Sequence, residues 1–489
     1  MLQHFSLLAS SVVIESVQVV VALVAFALGV AQKPVRELVR RWLAVRRRVL
    51  TVGRYDVSDR LGSATIEMGA EHNKALAELE KTLEYLARDP IPGPCIYVSA
   101  IDIRAFRCFE DVSVKLHHRG DASQLHHPNV NLILGDNGSG KSTLLKAIAM
   151  AALAPIIDSS GFYPYHLVRS HNETATICGR FLTDAPAAAP TELEGSVEIA
   201  RVGDLEKVSA RYSQAAWSEI FDESNPAFLV VGYGVNRRIA GEEERGSAGE
   251  IGRRSRRYQR VASLFEESTV LTPLSTWLPT LSLSRRAEVE EILDQLLPAD
   301  TSVADVMAPD TLFRSREQAV PYRALSDGYK SFIGWVGDLL FQIDTAASGK
   351  LAFTEVGGIV LVDEVDLLLH PSWQREVVTS IAEALPNLQF VFTTHSPIVA
   401  GTLESGNILI ARPTKSGGSI LANVDGEIYG LNAEQILLSS YFELESTRAP
   451  SAQESLGELA TRAMEGDDAA AVDYLRALAG ESAPPDPDG

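Results

Sequence analysis

Gly135-Asp-Asn-Gly-Ser-Gly-Lys-Ser-Thr143 decides the fold. The apolar run Val130-Asn-Leu-Ile-Leu134 precedes it, and Leu144-Leu-Lys-Ala-Ile-Ala-Met150 follows with helical spacing. Strand, glycine loop and helix in that order form the context of a phosphate-binding loop. Glycine lets the backbone wrap inward, so that successive N–H groups face phosphate oxygens, and the helix adds the positive end of its dipole. Nucleotide contacts are therefore expected from Gly135, Asn137, Gly138, Ser139, Gly140, Lys141, Ser142 and Thr143. Lys141 is placed to reach the β- and γ-phosphates, and the Ser142 hydroxyl to ligate Mg²⁺. A glycine-rich turn that binds nothing is the competing reading. The full spacing in this context speaks against it.

Three later stretches complete the pattern. Gly358-Ile-Val-Leu-Val-Asp-Glu-Val-Asp366 opens with four apolar residues, the mark of a strand buried on both faces. Asp363 and Glu364 emerge at its end, where ligands bind in a parallel α/β sheet. Asp363 is expected to hold Mg²⁺, and Glu364 to polarise the attacking water as general base. Phe390-Val-Phe-Thr-Thr-His-Ser-Pro397 is a second buried strand, and His395 stands where a γ-phosphate sensor belongs. Ala324-Leu-Ser-Asp-Gly-Tyr-Lys-Ser331 opens an apolar helix. There Ser326, the Gly328 amide and the helix N-terminus offer an anion site without a second lysine. Such a site makes sense if it caps the γ-phosphate held by another subunit, so that ATP joins two protomers.

The order of these motifs resembles that of ABC-type ATPases. Leu325-Ser-Asp-Gly-Tyr is similar to their signature, with Asp327 and Tyr329 as departures. Leu369-His-Pro-Ser-Trp-Gln374 occupies the D-loop. The details resemble SMC-related, OLD-like ATPases, in particular the ATPase subunit of Septu-type anti-phage systems, over residues 95–440. Leu368 stands where that family often has histidine. The resemblance implies an α/β P-loop NTPase of ABC type, with a mixed sheet flanked by helices and a helical signature subdomain. It also implies a homodimer or higher oligomer joined through ATP, an effector protein as partner, and an Arg107 side chain near nucleotide. The Q-loop glutamine has no evident counterpart. No sustained heptad run lies between Lys141 and Ser326, so the long arms of SMC repair proteins are not expected. Fewer than fifty residues follow residue 440, too few for a TOPRIM nuclease.

Composition bounds the rest. The 489 residues carry a formal charge of −20, with 46% hydrophobic residues and three cysteines out of metal-ligand spacing. The net charge does not indicate nucleic acid as partner. Arg253-Arg-Ser-Arg-Arg-Tyr-Gln-Arg260 is a basic cluster readable as a solvated or ion-paired face, or as a phosphate contact. Phe5 to Ala31 is apolar apart from Glu15, Gln18 and a few serines, and Gln32 to Arg48 holds seven basic residues against Glu37. The length and flanking charge predict a single membrane span with the ATPase in the cytoplasm, and lipid contact through residues 5–48. A helix packed between protomers and a signal peptide are the alternatives.

The chain thus divides into a hydrophobic anchor (1–31), a basic and helical connector (32–92), an ATPase domain (93–440), C-terminal helices (441–480) and a tail (481–489). The expected function is a membrane-tethered ATPase switch of a bacterial defence system. An SMC-like ATPase on DNA and a transporter ATPase are the alternatives.

Overall fold

The computed structural model describes residues 95–479, apart from 122–123, 186–187, 214–216, 218–227, 240–254, 299, 306–310, 316–317, 348–350, 416, 424–425, 443 and 445. Its framework is one sheet of eleven strands. In chain order these begin with β1 (Cys95–Phe106), β2 (Phe109–Lys115), β3 (Val130–Gly135), β4 (Thr174–Ala185), β5 (Ala188–Val202), β6 (Leu205–Tyr212) and β7 (Val230–Tyr233). A parallel pair, β8 (Arg238–Ile239) and β9 (Val270–Leu271), stands apart from it. So does the antiparallel trio β10 (Thr301–Asp305), β11 (Leu312–Ser315) and β12 (Gln318–Pro321). The main sheet ends with β13 (Gly358–Val362), β14 (Leu388–Thr394), β15 (Ile408–Pro413) and β16 (Ser419–Ala422). Helices of eight or more residues are α1 (Lys141–Ala152), α2 (Leu283–Leu296), α3 (Asp327–Ala347), α4 (Val377–Ala384), α5 (Pro450–Met464) and α6 (Asp468–Ala479).

The sheet order is β6-β5-β4-β1-β2-β16-β15-β3-β14-β13-β7. Its β15-β3-β14-β13-β7 half is parallel throughout, and its β6-β5-β4-β1-β2 half antiparallel. Parallel strands covered on both faces are largely apolar, and β13, apolar from Ile359 on, is buried along its whole length. Alternate residues serve different cores. Ile359 and Leu361 join the core around α1 and the antiparallel strands, whereas Val360 and Val362 join the core around α2, α3 and α4.

The two halves fold toward each other. Gln389 of β14 is buried, yet its Oε1 accepts from the Val98 N–H (2.8 Å) and its Nε2 donates to the Val98 carbonyl (2.8 Å) and the His117 carbonyl (2.7 Å). A buried amide costs stability unless such partners are present. Together with Asn131, which bonds both the N–H and the carbonyl of His117, it fastens β1 and the end of β2 across the parallel strands. Helix α1 lies between the halves, and ten of its twelve residues are buried.

Two expectations change here. Residues 185–190 read as a loop in the sequence, whereas β4 and β5 run almost to each other, with Ala185 paired to Ala188. The single-span localisation is overturned: among the described residues no helix is long and apolar enough to cross a membrane. The stretch that suggested it, residues 5–48, lies outside the described residues, as do the connector up to 94 and the tail from 480.

Candidate nucleotide site

The parallel strands β3, β7, β13 and β14 all end at one edge of the sheet, so the loops that follow them meet there. From β3 comes the glycine loop. Gly138 and Gly140 have φ of +79° and +105°, values that side chains disfavour. At Gly140 the need is doubled, because an added Cβ would sit 2.7 Å from Cys108 Sγ and 2.8 Å from the Phe109 ring. The loop therefore rests on the turn between β1 and β2. Arg107 stands in that turn, exposed, with φ +52° and its N–H bonded to the Leu167 carbonyl at 2.8 Å. Its charge acts on Lys146 of α1, whose pKa is lowered by burial first and by Arg107 second.

Lys141 is buried and uses its ammonium three times, toward the Gly135 carbonyl (2.8 Å), the Asp136 carbonyl (2.9 Å) and His395 Nε2 (2.8 Å). Burial lowers its pKa, while Asp363, Glu364, Asp136 and Asp366 pull it back up. His395 is likewise lowered, by burial and then by Lys141. An ammonium donating to Nε2 puts the imidazole proton on Nδ1 and keeps the ring neutral. Glu364 Oε1 lies 3.8 Å from the same Nε2.

The turn after β13 is fixed by β14. Thr393 Oγ1 accepts from the Glu364 N–H (2.8 Å) and donates to Asp363 Oδ1 (2.6 Å). Thr394 Oγ1 donates to Asp366 Oδ1 at 2.5 Å. Glu364 itself has φ +48°, a left-handed conformation uncommon for a side-chain-bearing residue. From the loop after β7, Arg237 Nη2 donates to the Asp363 carbonyl and to the Glu364 carbonyl, the latter at 2.8 Å. In sequence, 228–238 has the composition of a buried strand ending in a polar turn, and no motif marks Arg237. Its partners are backbone carbonyls more than a hundred residues away, which leave no pattern in the sequence.

The loop's fit to a triphosphate can be judged from its own atoms. Ser139 Oγ is buried with no hydrogen-bond partner, inside a loop of left-handed glycines. Among the described residues no cluster of three or more His, Cys, Asp or Glu could hold a metal alone. One hydroxyl, Ser142, and one carboxylate, Asp363, suit an ion that takes its remaining ligands from phosphate and water. Thr143 is buried beside them, and Asn137 is exposed at the tip of the loop.

Ser326 and Gly328 do not join this constellation. They open α3 beside the turn after β13, where a Cβ on Gly328 would lie 2.4 Å from the Leu368 carbonyl. Ser326 is exposed, and so is Leu368, which is 61% accessible with φ +63°. The described part of the basic cluster at 253–260 is largely structural. Arg257 is buried over the Phe228 ring at 4.5 Å, and Arg260 Nε donates to Gln342 at 3.2 Å. Arg256 alone of the described arginines there is exposed, which weakens the phosphate-contact reading.

Residues 249–400 match the family model "AAA domain, putative AbiEii toxin, Type IV TA system", and residues 100–204 match a second AAA domain model. The Septu protein PtuA of Bacillus mycoides (strain KBAB4) is 25% identical over 324 residues, 65% of this chain and 41% of that protein. The retron Ec83 probable ATPase of Escherichia coli is 31% identical over 125 residues, 25% of this chain and 23% of that one. The chain thus spans less than half the length of these curated relatives. A solved SMC head, bound to the C-winged helix domain of ScpA, covers 67% of this chain at 14% identity and a TM-score of 0.39, with 98% of that head matched. Motif order, matched models and relatives together make this chain similar to the SMC- and OLD-like AAA ATPases of Septu type.

Proposed function

We propose that this chain is an ATP hydrolase whose nucleotide-bound dimer acts as a switch in a defence system, with its output delivered by a partner effector. The observation that carries the reading is the convergence of Lys141, Asp363, Glu364 and His395 at one sheet edge. In this reading residues 93–440 form the catalytic unit. The glycine-loop amides and Lys141 hold the β- and γ-phosphates, and Arg107 lies over the loop from the β1–β2 turn. Mg²⁺, held by Ser142 and Asp363, would neutralise phosphate charge.

Glu364 then polarises a water aimed at the γ-phosphate, and neutral His395 steers that phosphate. His395 and Lys141 are already in contact, so an incoming phosphate exchanges with bonds the lysine makes inside the loop. Ser326 is exposed where α3 begins, and in this reading it and Gly328 seal the nucleotide of a second copy. The Septu and retron relatives support a defence role, and the effector partner follows from that resemblance.

The test is steady-state ATP hydrolysis by the full chain against a Glu364→Gln control. Turnover that needs Mg²⁺ and drops by about a hundredfold in the variant, with ATP still bound, supports the reading. Equal, slow turnover by both would leave a chain that binds nucleotide without using it.

A further inference from the structure

We infer that Arg237 is a positioning residue that holds the Asp363–Glu364 turn in its hydrolytic conformation and ties it to the helix opened by Ser326. The inference rests on the ATPase reading above and adds a residue to it. Glu364 sits at φ +48°, a strained conformation that the surroundings must enforce. Two groups enforce it from opposite sides. Thr393 grips the Glu364 N–H, and the Arg237 guanidinium spans the carbonyls of Asp363 and Glu364. One terminal nitrogen, Nη2, serves both carbonyls while Nε remains free to hold Gly234, a division of donors over two nitrogens that a lysine ammonium does not offer.

Arg237 is itself held in place. Its Nε donates to the Gly234 carbonyl at 3.2 Å, and Gly234 is wedged against Ser263, whose carbonyl would lie 2.2 Å from an added Cβ. The other face of the guanidinium lies over the Trp335 ring, 5.6 Å from its centroid. Trp335 is fully buried on α3, about two and a half turns beyond Ser326. A second link runs parallel to it, from Tyr233 at the end of β7 to Asp338 of α3, at 2.9 Å. Burial lowers the guanidinium pKa to about 10, so it remains a cation at neutral pH beside Asp363, Asp366 and Glu364.

The consequence concerns both ends of one chain. The turn proposed to activate water is connected to α3 through the Arg237 side chain, alongside the Tyr233–Asp338 bond. A shift of either is felt by the other through the Arg237–Trp335 stack.

The experiment compares full-length wild type with R237A and R237K. It measures turnover, affinity for a fluorescent ATP analogue, and rescue by millimolar guanidinium. Expected are a fall in kcat of about a hundredfold for R237A with affinity changed less than about threefold, and a smaller fall for R237K. Guanidinium should restore R237A turnover several-fold and leave E364Q unaffected. A merely structural role would lower binding and turnover together and would not respond to the added ion. If R237A does not fold, R237K carries the test through its kcat against its affinity. Wild-type turnover in R237K and in any folded R237A, or losses shared by kcat and affinity without rescue, overturns the inference alone. Wild-type turnover no faster than that of E364Q overturns the ATPase reading and this inference with it.

Discussion

Thr393 performs two tasks with one hydroxyl, and that makes it a sensitive residue. It accepts from the Glu364 N–H and donates to Asp363. Thr393→Val keeps the shape, removes both bonds and leaves a buried carboxylate oxygen and an N–H without that partner. We expect about 1–3 kcal/mol of lost stability in a denaturant melt and a kcat loss larger than any loss of nucleotide affinity. His395 offers a test by pH. Its folded pKa lies below 6.5, because burial and Lys141 disfavour the imidazolium. The unfolded chain therefore binds a proton first as pH falls. The stability contributed by neutral His395 is present above 6.5 and is lost as pH falls from there toward the folded value. Melting midpoints of wild type should accordingly fall more than those of His395→Gln over that window. The acid limb of wild-type turnover should lie below 6.5, and a limb at or above it would contradict a neutral sensor.

Among the elements, the glycine loop tolerates least. Gly140→Ala must adopt φ +105° and push against Cys108 and Phe109, so the loop cannot close on the β1–β2 turn. Nucleotide affinity should drop by at least about tenfold, read by titration with a fluorescent analogue, while the fold survives because the strain is local. The same elements show what sequence can reveal. Strands β3, β13 and β14 were legible because a strand covered on both faces is mostly apolar, and each ends at residues of the candidate site. The helices expected within 441–480 are α5 and α6. The β4–β5 hairpin was not, since Ala and Pro at 185–190 carry the composition of a loop while the backbone pairs regardless. At the site, Lys141, Asp363, Glu364 and His395 were legible from motif spacing. Arg237 was not, because an arginine that binds carbonyls imposes no residue type on its partners.

At the scale of the molecule, no hydrogen bond or ion pair among the described residues joins Ser326 or Gly328, at the opening of α3, to the glycine loop. α3 opens against the Leu368 turn, with Ser326 exposed, whereas Lys141 faces His395 and Glu364. In the proposed reading the signature serves the nucleotide site of another copy, which gives a contact around a two-fold axis with two sites per dimer. Lys141→Ala removes the grip on phosphate, and Ser326→Arg blocks the seal with bulk at an exposed position that the monomer fold does not need. Each variant alone should be inactive. Mixed in equal amounts, random pairing makes half the dimers heterodimers, and each heterodimer joins one intact loop to one intact signature. Half the dimers with one working site of two gives about a quarter of wild-type turnover. Activity in the mixture near that level requires two copies at each site. A mixture as inactive as its components means either that the sites work only in pairs or that the signature acts within its own chain. Sizing with ATP in the Glu364→Gln background separates these: a dimer that is lost on adding Ser326→Arg, with ATP still bound, retains the sealed site, and a dimer unchanged by Ser326→Arg removes it.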